Sequence, residues 1–314
     1  MKNKLLVTGG TGFLGRSLAI ELKDKYDVIL TGRNNKQNMF AADVTGCKVF
    51  PMDVSNIEAV RDVFVETKPD IVIHAAATKF VDLAEKQPME CIDVNVVGSQ
   101  NVARVAVEKG VESVLGISTD KAAPPVRNTY GLSKAIMERV FCSMDAKSAT
   151  KFACVRYGNV AWSTGSVLPI WKKMYDETGV IRSTGPEMRR FFFTVDEAVK
   201  LVITAMKNID AIRGGVLSRY MKAAQIEDLL DVWTGHKGGR WEKMEGRPGE
   251  RNDEFLIGDI ELPYTREMEF DGITHYFITF NKKVEVPLQS GLSSANTDRL
   301  TKEEMLTLIE SPRE

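Results

Sequence analysis

The sequence has no long apolar run: no window approaches the ~18 apolar residues that a membrane-spanning helix needs. Cysteine is sparse. Cys47, Cys91, Cys142 and Cys154 lie far apart without a CxxC pair, and three of them sit in apolar or helical surroundings. This argues against a disulfide framework and for buried thiols in a reducing compartment. No metal site is read from the chain. Neither sign of charge dominates, because 42 basic and 43 acidic residues give a net charge of -1 with no long block of one sign. Nothing attracts a polyanion along a whole face, so nucleic acid is not an expected partner. Met1-Lys2-Asn3-Lys4 leads into an apolar strand of about six residues, too short for the apolar region of a signal peptide. A cytoplasmic protein is the expectation. There is no internal repeat and no low-complexity tract.

What is present is an alternation. Short β-rich runs at about 3–8, 27–32, 47–51, 70–74, 112–118 and 151–157 are separated by stretches of helical length. Within these stretches apolar residues recur at three- and four-residue spacing, as in Ile57, Val60, Val63 and Phe64, or Val94, Val97, Val102, Val105 and Ala106. Such stripes face a core. The fold class is α/β, a Rossmann-type doubly wound parallel sheet covered by helices on both faces. After about residue 160 Gly and Pro punctuate shorter elements. This divides the chain into a nucleotide-binding domain at 1–160 and a smaller, loop-rich substrate-binding lobe at 161–314, parts of which cross back to the sheet. Thr301 stands three residues before Glu304, a capping box that opens a last helix.

The first strand runs into Thr8-Gly9-Gly10-Thr11-Gly12-Phe13-Leu14-Gly15 and then into a helix near Arg16. Glycines at 9, 12 and 15 let the backbone turn tightly, approach a pyrophosphate and pack the helix on the sheet, with the helix N-terminus facing negative charge. The second strand ends in Arg33 instead of the acidic residue that grips the ribose 2′-hydroxyl of NAD. A guanidinium there pairs with a 2′-phosphate, so NADP is expected in preference to NAD. Asp53, beside Val54, is a candidate for the adenine amine or for the cap of a helix starting at Ser55. The small residues Ala75, Ala76 and Ala77 leave room for the cofactor, and Asn95 joins the candidate cofactor set. His74 is expected to satisfy backbone rather than to catalyse.

Tyr130 and Lys134 are four apart and share a helix face. An ammonium beside a phenol favours the phenolate and brings its pKa down from ~10, which makes a general base. The fifth strand delivers Thr119, Asp120 and Lys121 to the same crevice, outside the carboxyl ends of the strands.

With these residues in view the chain resembles the extended short-chain dehydrogenases/reductases, and within them the configuration-inverting UDP-N-acetylglucosamine 4,6-dehydratases of surface-polysaccharide biosynthesis. The resemblance rests on Thr8 to Gly15, Ser118 to Ala123, Tyr130 to Lys134, Arg156 to Val160, Gly165 to Val167 and Arg247 to Glu250. It implies a redox-neutral reaction. Tyr130 takes the proton of the sugar 4-hydroxyl, Lys134 holds the cofactor ribose and Thr119 bonds O4. Lys121, its pKa lowered by burial and neighbouring cations, then removes the C5 hydrogen while a protonated Asp120 assists departure of the 6-hydroxyl.

The resemblance also assigns Lys79, Asn159, Ser166, Val167, Arg247 and Glu250 to the nucleotide sugar, a UDP-N-acetylhexosamine, and implies homo-oligomers formed through the helices at about 83–109 and 128–148. Arg189 and Arg190 are read as a second phosphate contact or as a cation pair capping an apolar strand. The sequence departs from the family pattern in three ways. The loop between Lys121 and Tyr130 is one residue longer than usual, Phe80 and Asp82 replace histidine and proline, and Thr164 replaces arginine. A 4-epimerase or 4-keto-reductase would need Tyr130, Lys134 and Thr119 but neither Asp120 nor Lys121. A catalytically silent NADP-binding regulator is the alternative from another class.

Overall fold

A computed structural model describes residues 2–246 and 249–311. The β-rich runs of the first half form β1 (Lys4–Thr8), β2 (Asp27–Gly32), β3 (Lys48–Pro51), β4 (Ile71–His74), β5 (Ser113–Ile117) and β6 (Lys151–Val155). Between them lie α1 (Phe13–Leu22), α2 (Asn35–Thr45), α3 (Ile57–Thr67), α4 (Val81–Lys86), α5 (Pro88–Ile92), α6 (Gly98–Glu108) and α7 (Thr129–Asp145). The strands are parallel in the order β3-β2-β1-β4-β5-β6. Chain direction across the sheet reverses between β1 and β4, where doubly wound folds open a ligand crevice. The strand interiors, such as Leu5, Leu6 and Val7 of β1 or Val72 and Ile73 of β4, are fully buried. Burial on both faces explains their unbroken apolar runs.

The later chain crosses back as expected. It contains β7 (Asn159–Val160), β8 (Val180–Thr184), β9 (Arg189–Phe193), β10 (Val216–Arg219), β11 (Ala223–Gln225), β12 (Arg240–Met244), β13 (Phe255–Ile257), β14 (Thr265–Phe270), β15 (Ile273–Ile278) and β16 (Leu292–Ser293). Of these, β10 joins β6 in parallel, and β15 and β14 extend the edge antiparallel, giving nine strands. Helices α8 (Val167–Thr178), α9 (Val195–Lys207), α10 (Ile209–Ile212), α11 (Ile226–Lys237) and α12 (Lys302–Glu310) complete the chain. The capping box read at Thr301 and Glu304 opens α12. No helix among the described residues is long and apolar enough to cross a membrane.

Two local readings change. Val97 is 37% exposed although it sits in an apolar stripe, because Asp93–Val97 is a π-turn whose extra residue rotates the face by about one position. The helix after β3 starts at Ile57 with Asn56 as its cap, not at Ser55; Asp53 instead closes a tight local turn, accepting from the backbone and hydroxyl of Ser55.

Candidate active site

One cavity of about 820 Å³ runs along the carboxyl ends of the strands and is lined by residues of both halves of the chain. At one end the loop after β1 passes under the segment after β4. Gly9 has φ +65°, and a Cβ there would lie 2.6 Å from the backbone of Ala76, so only glycine lets the two segments meet. Helix α1 begins at Gly12 with no side-chain cap and no acidic residue in its first turn. Its free amide groups and positive dipole end are therefore available to an anion. Thr11, Gly12, Phe13, Leu14, Gly15, Asp53, Val54 and Ala75 to Ala77 line this part of the cavity. The cradle fits a dinucleotide.

Arg33 reaches the cavity rim, where it pairs with Glu90 at 2.9 Å, both side chains being largely exposed. His74 is buried against hydroxyls instead of backbone: Nδ1 lies 2.7 Å from the Thr8 Oγ1 and Nε2 2.9 Å from the Ser99 Oγ. Burial pushes its pKa down to about 3, so it is a neutral brace between strand and helix. Asn95 does not line the cavity. It is fully buried, and its amide group is spent on both backbone groups of Thr78 and on the Ser133 hydroxyl, which ties the segment after β4 to α7.

At the centre, Asn128 caps α7 and so aims its first two turns at the cavity. Tyr130, Lys134, Thr119 and Lys121 all line it. Thr119 favours the anion of the Tyr130 phenol, against the effect of burial. The expected activation of Tyr130 by Lys134 is absent here. Burial holds the phenol above its ordinary pKa, and the Lys134 ammonium donates to the Met137 Sδ at 3.0 Å. Burial also brings Lys134 down to about 8.

Asp120 and Lys121 behave as a pair. The Lys121 Nζ donates to Asp120 Oδ1 at 3.1 Å, and the Thr119 hydroxyl donates to the same oxygen at 2.9 Å. Asp120 is completely buried behind the cavity wall, and its Oδ2 finds no hydrogen-bond partner among the described residues. Burial raises its pKa, with Glu254 adding to the effect and Lys121 opposing it. Burial thus favours the protonated acid, and the contact with Lys121 favours the carboxylate. Lys121 shifts the opposite way from the expectation: burial alone would lower its pKa, but Asp120 and Glu254 together raise it.

Lys79, Asn159, Ser166, Val167 and Glu250 also line the cavity. The Asn159 amide donates to the Phe191 carbonyl at 3.1 Å, and Glu250 accepts from the Thr184 hydroxyl at 2.9 Å. The buried Ser166 Oγ, at the N-terminus of α8, has no partner among the described residues, an orphan group suited to a polar ligand. Arg247 lies outside the described residues. Phe80, Asp82 and Thr164, the positions of departure, line the cavity too, and the Phe80 ring packs against Gly165. The two arginines divide their roles: Arg189 pairs with Asp253 at 2.6 Å, while Arg190 lines the cavity.

Sequence reasoning missed Tyr157 and Glu254 as cavity residues, and gave Arg190 only as one of two readings. The only signal for Glu254 was its place just beyond the Arg247 to Glu250 motif, with Arg251 three residues before it. Behind the site, Arg156 pairs with Glu138 at 2.7 Å and with Glu261 at 2.9 Å, and Glu138 accepts from the Ser118 hydroxyl. This buried network clamps α7 to the end of β5.

The parallel sheet, the glycine cradle and the Tyr130/Lys134 helix define an extended short-chain dehydrogenase/reductase. The chain belongs to the polysaccharide biosynthesis protein family, whose profile matches residues 5–276. It is 34% identical over 284 residues to a UDP-N-acetylglucosamine 4,6-dehydratase (inverting) of Campylobacter jejuni, covering 85% of this chain and 81% of that one. It is 31% identical over 329 residues to a UDP-glucose 4-epimerase of Rickettsia bellii, covering 97% and 94%. Among solved structures, Pen from Bacillus thuringiensis superposes with a TM-score of 0.89 at 29% identity, covering 98% of this chain and 97% of that one.

Proposed function

We propose that the protein is an NADP-dependent 4,6-dehydratase acting on UDP-N-acetylglucosamine. The observation that carries this reading is the Asp120–Lys121 pair beside Thr119 and Tyr130: an acid and an amine that a C4 oxidation alone does not require. Bound in the cleft, the nicotinamide supplies the hydride acceptor for C4 and the hydride donor for C6. The chain handles the protons. Thr119 holds O4 and Tyr130 receives its proton, with Lys134 moving from Met137 toward the phenol and cofactor ribose to favour the anion. Lys121 takes the C5 proton, and Asp120 gives its proton to the departing 6-hydroxyl. Ser166, Asn159, Lys79 and Glu250 orient the nucleotide sugar, and the α8 N-terminus favours its diphosphate.

Incubation with NADP and UDP-N-acetylglucosamine tests the reading. The expected product has lost one water by mass spectrometry, without net consumption of NADPH, and its C5 configuration is read by NMR. A mass-neutral product supports the second reading, a UDP-sugar 4-epimerase, which is favoured by the similarity of the Rickettsia enzyme across nearly the whole chain. We assign self-association to the exposed face of α6 and α7, where Leu132 and Ile136 are 52% and 46% exposed. Light scattering checks it.

A further inference from the structure

Glu254 takes no part in the reaction as described, yet it lines the cavity and is only 3% exposed. Its Oε1 lies 3.5 Å from the Lys121 Nζ and 4.0 Å from the Arg190 Nε. Its Oε2 receives Arg251 at 2.6 Å from Nε. Arg251 is itself fixed to the Pro125 carbonyl at 2.7 Å. The Lys121 ammonium is therefore held from two sides, by Asp120 on its own turn and by Glu254 from the segment preceding β13. An ammonium on a flexible four-carbon stem has no fixed position of its own. Two carboxyl groups at these distances confer one.

We propose that Glu254 is a positioning residue for the elimination: by anchoring the Lys121 ammonium between itself and Asp120 at the cavity wall, it governs where Nζ waits and when Nζ can accept the C5 proton. This rests on the dehydratase reading. The charged groups facing Lys121 are Asp120, Glu254 and Arg190, with Arg251 behind Glu254. Glu254 favours the Lys121 ammonium against burial and Arg190, and Asp120 adds to this whenever it is ionised. Burial disfavours the Glu254 anion, but Lys121, Arg190 and Arg251 keep it ionised. Elimination needs Asp120 protonated and Lys121 neutral, so the doubly protonated pair releases the Lys121 proton to solvent and keeps the other on Asp120. The C5–H bond then breaks with its proton going to neutral Nζ, and its electron pair becomes the C5–C6 double bond. The C6–O bond breaks as the hydroxyl takes the proton of Asp120 and leaves as water. Removal of hydride from C4 needs none of this.

The test compares wild type with Glu254→Gln and Glu254→Asp, each as the full chain with NADP and UDP-N-acetylglucosamine. Water loss is followed by mass spectrometry across the neutral to alkaline range, and C4 oxidation by the absorbance of reduced nicotinamide in a single turnover. A carboxylate this close favours the ammonium, so its removal moves the rising limb of the water-loss profile to lower pH, by roughly one to three units. Loss of the anchor lowers the plateau roughly tenfold. C4 oxidation stays within about twofold, so reduced nicotinamide accumulates in the variant. Glu254→Asp keeps the charge and withdraws the carboxylate, which lowers the plateau with little movement of the limb. An unmoved limb in Glu254→Gln, or an equal fall in both half-reactions, overturns the proposal. If Glu254→Gln does not fold, Glu254→Asp decides: it must slow water loss more than C4 oxidation, and equal slowing overturns the proposal. A wild-type protein that releases no water overturns the dehydratase reading itself, an outcome distinguishable from these.

Discussion

Arg156 donates to both carboxylate oxygens of Glu138, from Nε at 3.0 Å and from its terminal nitrogen at 2.7 Å, with all of these groups out of contact with solvent. Its remaining donors go to Glu261 and to the Leu256 carbonyl. Replacing Arg156 by Met leaves two carboxylates buried without their cation. The expected loss is about 3–5 kcal/mol of stability, the range for breaking a buried pair from one side. Urea denaturation checks it. A loss under about 1 kcal/mol would mean that water reaches this network.

Gly9→Ala is expected to weaken NADP binding at least tenfold, or about 1.4 kcal/mol. The added methyl would meet the Ala76 backbone at 2.6 Å in a conformation that already disfavours a side chain. Fluorescence titration of the free protein with NADPH reads this without turnover. Wild-type affinity would show that the close approach of these two segments is not needed for the cradle.

The Arg33–Glu90 pair spans the cavity rim, and an exposed pair costs little to open, about 0–1 kcal/mol. A 2′-phosphate can therefore draw Arg33 away from Glu90. Arg33→Ala is expected to lower NADP affinity about tenfold while leaving NAD affinity nearly unchanged. Glu90→Gln removes the competitor and should tighten NADP a few-fold. Calorimetric titration with both dinucleotides checks the pair; equal losses for NAD and NADP would remove Arg33 as the discriminating group.

Lys134 makes stability and activity pull in opposite directions. Burial lowers its pKa from 10.5 to about 8, so the unfolded chain binds the additional proton between these values. Stability conferred at this position accordingly rises with pH through that window, and below about 8 the full cost of the buried ammonium, about 3 kcal/mol, is present. Lys134→Met is expected to raise the melting temperature of the cofactor-free protein at neutral pH by several degrees while abolishing turnover. The gain should vanish above the ordinary lysine pKa. Scanning calorimetry at neutral and strongly alkaline pH checks the sign.

The strands of the first half, the phosphate loop and the Tyr130/Lys134 face were legible in the sequence because each is written locally: short apolar runs, glycine punctuation, or a step of four along a helix. The exposure of Val97 was not, because a single π-turn resets the helical phase. That Asn95 bonds within the protein and not along the cavity was hidden for a related reason. A side-chain amide serves a ligand or the backbone depending on what packs beside it, and here that is Thr78 and Ser133.

The sequence by itself determined the class of sheet, the cradle for a dinucleotide and which side chains are proposed to react, since all of these follow from short-range pattern and turn chemistry. Only the tertiary structure decided their protonation. Arg156 meets Glu261 across 105 positions, and Lys121 meets Glu254 from a different half of the chain. Electrostatic interactions fall off with distance in space and strengthen out of water, so the charge state of a buried lysine or carboxyl depends on partners that no local spacing announces.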